Sequence, residues 1–287
     1  MSADVLAAGV LAGGLYALVG LGISLVFGVL KLMNLAHGEF VTGGGYLAAL
    51  FVTGAGLDPL IVLPIAMLGV ALVAYPLQRF LLTPLLRGSQ AAPLVATFGL
   101  SLLLQATYQA LFGTHPKSLP ASYATSGMSV LGVRVQTVYV ISFALAIVLC
   151  LGTHLILTRT RAGGAVRAAS ADPEAAAVLG LNVARIYAFT LAGAAALAAA
   201  AGVMTGIAQS FTPSSGLPLL LTGFAVMALA GIGSVGWVLL AGITLGVIQS
   251  VSVSLFGGGW QDVAVYLVFF LVLAIRPQGL FRKAAPL

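Results

Sequence analysis

The chain has 287 residues, of which 61% are hydrophobic and 6% charged, with 12 Lys and Arg against 6 Asp and Glu. A soluble domain carries about 25% charged residues, so this composition excludes a water-soluble enzyme domain, and a mean hydropathy of +1.15 makes the bilayer the main solvent. The basic residues sit in short segments between apolar runs, where they read as topology signals, not as a surface for nucleic acid.

The first apolar run, 5–30, has Asp4 as the only charge before Lys31. With no basic segment ahead of it and more length than a signal-peptide core, it is expected to stay in the protein as a span. Gly13, Gly14, Gly20, Gly22 and Gly28 punctuate it. Small residues let helix backbones approach closely where lipid supplies no hydrophobic drive.

The segment Met33-Asn34-Leu35-Ala36-His37-Gly38-Glu39-Phe40 then places Asn34, His37 and Glu39 at the mouth of a second run, 35–53. Polar and ionisable groups in a membrane are costly and tend to mark function. Two readings stay open: these side chains satisfy helix ends at the interface, or they take part in gating or coupling. The His-x-Glu pair does not make a metal site, because no other His or Cys supplies ligands by motif spacing. Gly43, Gly44 and Gly45 in mid-run predict a bend, or backbone exposed to a pathway.

Runs at 60–80, 93–112 and 137–157 follow, with the polar stretch 114–136 between the last two. Cys150, the one cysteine, lies inside an apolar run and reads as an inert buried thiol; a single cysteine allows no intrachain disulfide and no CxxC pair.

The polar segment 159–185 carries Arg159, Arg161, Arg167 and Arg185. Within it Asp172 is a good N-cap and Pro173 suits the first helical position. Glu174 to Leu179 reads as a short helix, and Gly180 as its stop. Ala176, Val178 and Leu179 are expected to form an exposed apolar side that docks in a partner's groove. A helix lying on the membrane would show aromatic residues on one face and cations on the other, and this one has neither.

Runs at 186–209, 217–232, Val238–Phe256 and 263–275 complete the chain. Ala230-Gly231-Ile232-Gly233-Ser234-Val235-Gly236 resembles a phosphate loop only superficially, since no strand precedes it and no Lys-Ser or Lys-Thr follows. It predicts a tight cytoplasmic turn between two spans. No GxSxG elbow occurs, His115 and His154 lie far from acids in sequence, and there is no Walker motif. No cofactor or metal site is indicated, and any ATP-derived energy has to come from a separate subunit.

The expected fold is an all-α, polytopic transmembrane bundle of about 8–9 spans, some of them broken or re-entrant. By the positive-inside rule, Arg79 with Arg87, the 159–185 loop, and Arg276 with Arg282 and Lys283 are cytoplasmic. Span parity then puts the N-terminus outside and the C-terminus in the cytoplasm. The 114–136 stretch falls outside, in spite of Lys117 and Arg134.

Gly14-Leu15-Tyr16-Ala17-Leu18, Gly28-Val29 and Met33 to Glu39 resemble the N-terminal signature of branched-chain amino acid ABC permeases (the LivH/LivM type, nearer to LivH). Arg161-Ala162-Gly163, Arg167-Ala168, Asp172 and the stretch from Ala176 to Asn182 are similar to that family's ATPase-coupling loop. Gly231 to Ser234 and Arg276-Pro277-Gln278-Gly279-Leu280 match as well. The resemblance covers nearly the whole chain in order, and Ala36-His37-Gly38-Glu39 is its most specific motif.

The resemblance implies a single transmembrane permease domain over 1–287 in the inner membrane. It also implies a second, homologous permease and two cytoplasmic ATP-binding subunits, which would grip the coupling helix at Asp172, Glu174, Ala176 and Gly180. An extracytoplasmic solute-binding protein would deliver a small polar solute. Family members import Leu, Ile and Val, and relatives carry urea, short amides or other amino acids. Two departures stand out: Glu174-Ala175-Ala176 with Gly180 fits the EAA-x-x-x-G pattern of importers without its Ile-x-Leu-Pro continuation, and Gly236-Trp237 stand where Pro-Gly is expected. The chain thus reads as an ABC importer permease and not as an enzyme. A urea or amide permease, an ATP-independent transporter or channel, and, last, an intramembrane enzyme using His37 and Glu39 are the alternatives. The near absence of charge in mid-span suits a wet path for a zwitterion better than a proton relay.

Overall fold

A computed structural model of the chain describes residues 3–85, 91–130, 133–276 and 279–281. Expectations resting on Arg87, Pro277, Gln278, Arg282 and Lys283 lie outside the described residues. The elements run α1 (Ala3–Leu30), α2 (His37–Ala55), α3 (Pro59–Pro76), a π turn (Leu77–Leu82), α4 (Thr83–Leu85) and α5 (Ala92–Phe112). An antiparallel hairpin of β1 (Gly127–Val130) and β2 (Val133–Gln136) follows, then α6 (Thr137–Arg159), α7 (Arg161–Ala171) and α8 (Pro173–Val178). The chain continues through α9 (Val183–Ala208), α10 (Gly216–Ala230), α11 (Val238–Phe256) and α12 (Gln261–Ile275).

The protein is an all-α polytopic bundle. In lipid a backbone has to satisfy its own hydrogen bonds, which leaves apolar segments of this length little choice but helix. Among the described residues 8 helical segments are long and apolar enough to cross a membrane, and α2, with 19 residues, is a further long helix with more polar content. The third span runs past the expected end at Phe80, through Pro59–Leu85. Pro76 and Pro84 lack amide donors, which disturbs the regular ladder; the chain widens into the π turn, where the Thr83 amide and hydroxyl both donate to the Gln78 carbonyl, the hydroxyl at 2.8 Å.

The bundle has two unlike ends. Gly14 of α1 lies against Phe143 of α6, and Ser170, beyond α6, donates to the Gly28 carbonyl at 2.8 Å. The two helices therefore run parallel, with the hairpin where α1 starts and α7 and α8 where it finishes. Lys31, Arg79, Arg159, Arg161, Arg167, Arg185 and Arg276 gather at this second, basic end. Asp4, Asp58 and Asp262 are at the hairpin end, with Lys117 and Arg134. There Asp58 caps α3 by accepting from the Leu60 amide at 2.8 Å, and it also accepts from the Tyr123 hydroxyl at 2.8 Å. Burial, and then that bond, push the Tyr123 phenol above its ordinary value. Lys117 and Phe211 exchange backbone hydrogen bonds at 2.9 and 2.8 Å, which ties the 114–136 stretch to the chain after α9.

The Ala-rich α9 runs through the middle, flanked by α1, α2 and α3. Small residues make this density attainable. Gly13 abuts α11 so closely that an added Cβ would stand 2.7 Å from the Gly242 carbonyl, and Gly202 of α9 abuts the Val41 carbonyl of α2. The periphery turns Leu72, Leu103, Val148 and Phe270 outward, as a lipid-facing surface requires.

Candidate functional site

The region around Asn34 lies deep in the bundle, not at its mouth. The His37 ring rests on Gly22 of α1, where a Cβ would be 2.7 Å from Cε1 and Nε2. Gly22 is eight residues before the end of α1, so at 1.5 Å per residue α2 begins about 12 Å inside that end. Residues 31–36 form a re-entrant return from the end of α1 to this depth, the broken geometry foreseen for one or two of the spans. Irregular backbone at such depth is tolerated where protein encloses it.

The polar groups of this return are used locally. Asn34 Oδ1 accepts from the Ala36 amide at 3.0 Å, the Asn34 carbonyl accepts from the His37 amide at 3.2 Å, and the Leu35 amide donates to Thr97 Oγ1 of α5 at 3.3 Å. Asn34 therefore shapes the turn into α2, while neither His37 nor Glu39 caps a helix at the interface: α2 has Ala36 at its N-cap and no side-chain cap. His37 is 1% exposed and neither ring nitrogen has a partner among the described residues; Asn34 Nδ2 is likewise unpartnered there. Both face a small cavity that Ile23, Leu32 and Phe224 also line.

Glu39 faces the other way. It is 2% exposed, Ser101 Oγ of α5 donates to its Oε1 at 3.4 Å, and Oε2 has no partner among the described residues. Its carboxylate lies against Gly216, the first residue of α10, while Glu39 itself sits in the first turn of α2. Two helix N-termini thus flank one carboxylate, and the partial positive charge of such ends favours an anion. Tyr108 donates to the Glu39 carbonyl at 3.0 Å. Tyr46, Tyr108, Phe112 and Phe211 form an aromatic cluster beyond it, with Tyr46 stacked on Phe112 at 4.4 Å.

The glycine triplet does not break α2, and it is not exposed. The helix is continuous from His37 to Ala55 and all three glycines are buried. Each admits a different neighbour: Tyr108 at Gly43, the Ala199 backbone at Gly44 and the Phe211 ring at Gly45. Three successive residues point some 100° apart, so α2 is gripped on three sides. Sequence reasoning overlooked Thr97, Ser101 and Tyr108. Their spacing puts them on one face of α5, a polar stripe that a helical wheel of 93–112 displays.

The second region is α8, at the basic end and far from the first. Asp172 Oδ1 accepts from the Glu174 and Ala175 amides at 3.0 Å each, the N-cap foreseen. Gly180 takes φ +85, and the Gly180 and Leu181 amides close the helix on the Ala177 and Ala176 carbonyls at 3.0 and 3.1 Å. Val178 is 88% and Leu179 80% exposed. Ala176 is not part of that exposed side: it is 2% exposed and belongs to the core. The helix has six residues and rests on α7 and α9, so the turn that lifts Val178 outward presses Ala176 in. The preceding α7 was not foreseen; Thr160 caps it by accepting from the Gly163 amide at 3.0 Å. Gly231 and Gly233, both at positive φ, make the turn expected between α10 and α11.

Residues 5–274 match the family described as "Branched-chain amino acid transport system / permease component". The chain is 30% identical to the high-affinity branched-chain amino acid transport system permease protein BraD of Pseudomonas aeruginosa, over 96% of this chain and 94% of that one. It is 27% identical to the permease protein LivH of Escherichia coli, with the same two coverages. A probable LivH of Methanocaldococcus jannaschii is 24% identical over 96% of this chain and 91% of its own. Among solved structures, PsaBC from Streptococcus pneumoniae in complex with Fab is similar with a TM-score of 0.50 and 16% identity, covering 96% of this chain and 91% of that one. At that identity the likeness concerns the fold alone.

Proposed function

The chain belongs to the branched-chain amino acid transport system permease family, and from that premise we propose that it is the membrane-spanning permease subunit of an ABC importer carrying branched-chain amino acids across the inner membrane. The observation that carries the reading is the family match over 5–274, together with a capped helix whose tip exposes two large apolar residues, Val178 and Leu179. Separate ATPase subunits hydrolyse ATP, and Val178 and Leu179 seat in a groove of one of them. Asp172, Glu174 and Gly180 fix the shape of α8, and Ala176 anchors it on α9. A motion of the ATPases then passes through α8 and α7 into α9.

In this reading the basic end is cytoplasmic, as the charge bias favours. The assembly holds a second homologous permease, two ATP-binding subunits and an extracytoplasmic binding protein that delivers the solute. Asn34, His37 and Glu39 form the joint at which α2 shifts when the path alternates between faces. Gly43, Gly44 and Gly45 keep α2 locked to α5, α9 and the Phe211 ring, so that a shift of α9 moves α2 as a unit. Support comes from the unsatisfied polar atoms at the joint, which a second arrangement would be able to pair.

The test is the double variant Val178→Glu, Leu179→Glu in the full importer. Solute uptake and transport-stimulated ATP hydrolysis are both expected to fall at least tenfold, with the protein level in the membrane unchanged. Uptake that persists in that variant would refute the docking role of α8.

A further inference from the structure

An open cleft of about 870 Å³ lies at the basic end between α1, α6, α7 and the Gly231–Ser234 turn. We propose that it binds the headgroup phosphate of an anionic phospholipid. Three observations converge on this. Lys31, Arg167 and His154 come from three separate elements to line the one cleft, and among the described residues no carboxylate lines it. The described lining is thus complementary to an anion. Next, the lining beneath these groups is apolar, with Leu25, Val29, Leu157 and Val166. A free phosphate gains nothing from such a floor, whereas an acyl chain does.

The third observation is the level of the site. Lys31 is the first residue past α1 and His154 is in the last part of α6, while α6 turns Leu151, Leu155 and Ile156 outward. Trp237 lines the cleft and stacks near Phe281 at 6.4 Å between centroids. A tryptophan beside cations at the ends of spans marks the headgroup layer, and basic pockets between spans at that level recognise anionic headgroups. Lys31 is also held at φ +52, and no other described non-glycine residue has a positive φ. The chain turns sharply there, leaving the lysine exposed at the cleft. None of this depends on what the protein transports.

The experiment is native mass spectrometry of the full chain, purified in detergent, stripped of lipid and titrated with phosphatidylglycerol or phosphatidylcholine of identical acyl chains. Phosphatidylglycerol is expected to bind more tightly. The double variant Lys31→Gln, Arg167→Gln should weaken it about tenfold and leave phosphatidylcholine unchanged. Arg161→Gln, an exposed arginine of α7 outside the cleft, should change neither, and Leu157→Trp, which fills the floor, should weaken both lipids. A double variant that binds phosphatidylglycerol as tightly as the parent overturns the proposal, as does an equal loss in Arg161→Gln. A large excess of inorganic phosphate should fail to displace the lipid; displacement would assign the cleft to free phosphate and overturn the lipid assignment.

Discussion

At the start of α2, His37 and Glu39 are 1% and 2% exposed and leave three side-chain atoms without partners among the described residues. At the tip of α8, Val178 and Leu179 are 88% and 80% exposed with nothing over them. The two regions depart from the ordinary rule in opposite senses, polar groups kept in and apolar groups kept out. The difference teaches where each cost is carried. Burying a polar group without a partner costs folding free energy, which the dense glycine and alanine packing around α2 has to offset. Exposing two apolar side chains on a capped helix costs the folded chain little and becomes useful when a partner covers them. Disturbing the packing that encloses the first region should therefore act on stability first, and changing the exposed tip of α8 on transport alone.

The largest expected effect tests the packing that encloses the first region. In Gly202→Leu an added Cβ runs into the Val41 carbonyl of α2, and backbone cannot swing away as a side chain can. Overpacking of this kind costs about 3 kcal/mol or more. Fluorescence-detected size-exclusion chromatography should show loss of the monodisperse peak. A native-like peak would mean that α2 is not locked to α9.

Next comes a pair that sharpens the contrast within α8 itself. Ala176→Asp puts a carboxylate where the side chain is 2% exposed and should lower stability by about 3 kcal/mol or more. Val178→Asp, two residues on and exposed, should change it by less than about 0.5 kcal/mol while still abolishing uptake. Thermal unfolding and transport measured on both variants check this. Equal melting points for the two would erase the distinction between anchor and tip.

Much of this was legible in the residues. Composition and run lengths give the all-α membrane bundle, and Asp172-Pro173 with Gly180 gives both ends of α8, because capping is a local matter read over a few positions. What was not legible depended on depth and on neighbours. The expectation that put His37 and Glu39 at the start of a helix held, while the reading that this start lies at the interface missed the re-entrant return, since six residues of loop look alike whether they skim the interface or dip about 12 Å below it. The glycine triplet suggested a bend or a backbone open to a pathway, because a sequence does not name the Tyr108, Ala199 and Phe211 that fill the three notches. The Ala176 side chain reads as part of an apolar face until α8 is packed on α7 and α9.

A smaller effect separates structure from action at the α2 joint. His37→Leu removes a ring whose nitrogens have no partner among the described residues, and with it the cost of burying them. The melting temperature should stay level or rise. Uptake should fall at least threefold, because the proposed joint loses a group that a shifted α2 would pair. Unchanged uptake would leave His37 as packing and remove it from the mechanism.

The smallest expected effect concerns the cap of α8, where the two kinds of cost meet. Asp172 holds the Glu174 and Ala175 amides, and loss of an N-cap costs about 1 kcal/mol. Because α8 has six residues, that amount is enough to fray it locally while the spans, anchored by their own packing, stay intact. Asp172→Ala should thus lower the global melting temperature only slightly and reduce uptake by a few-fold. Asp172→Asn restores the capping oxygen without the charge, and asparagine is as good a cap as aspartate. Recovery of uptake in Asp172→Asn would locate the role of Asp172 in shaping the knob. If Asp172→Asn remains as impaired as Asp172→Ala, the carboxylate charge is needed in its own right, and the partner's groove then has to present a cation to meet it.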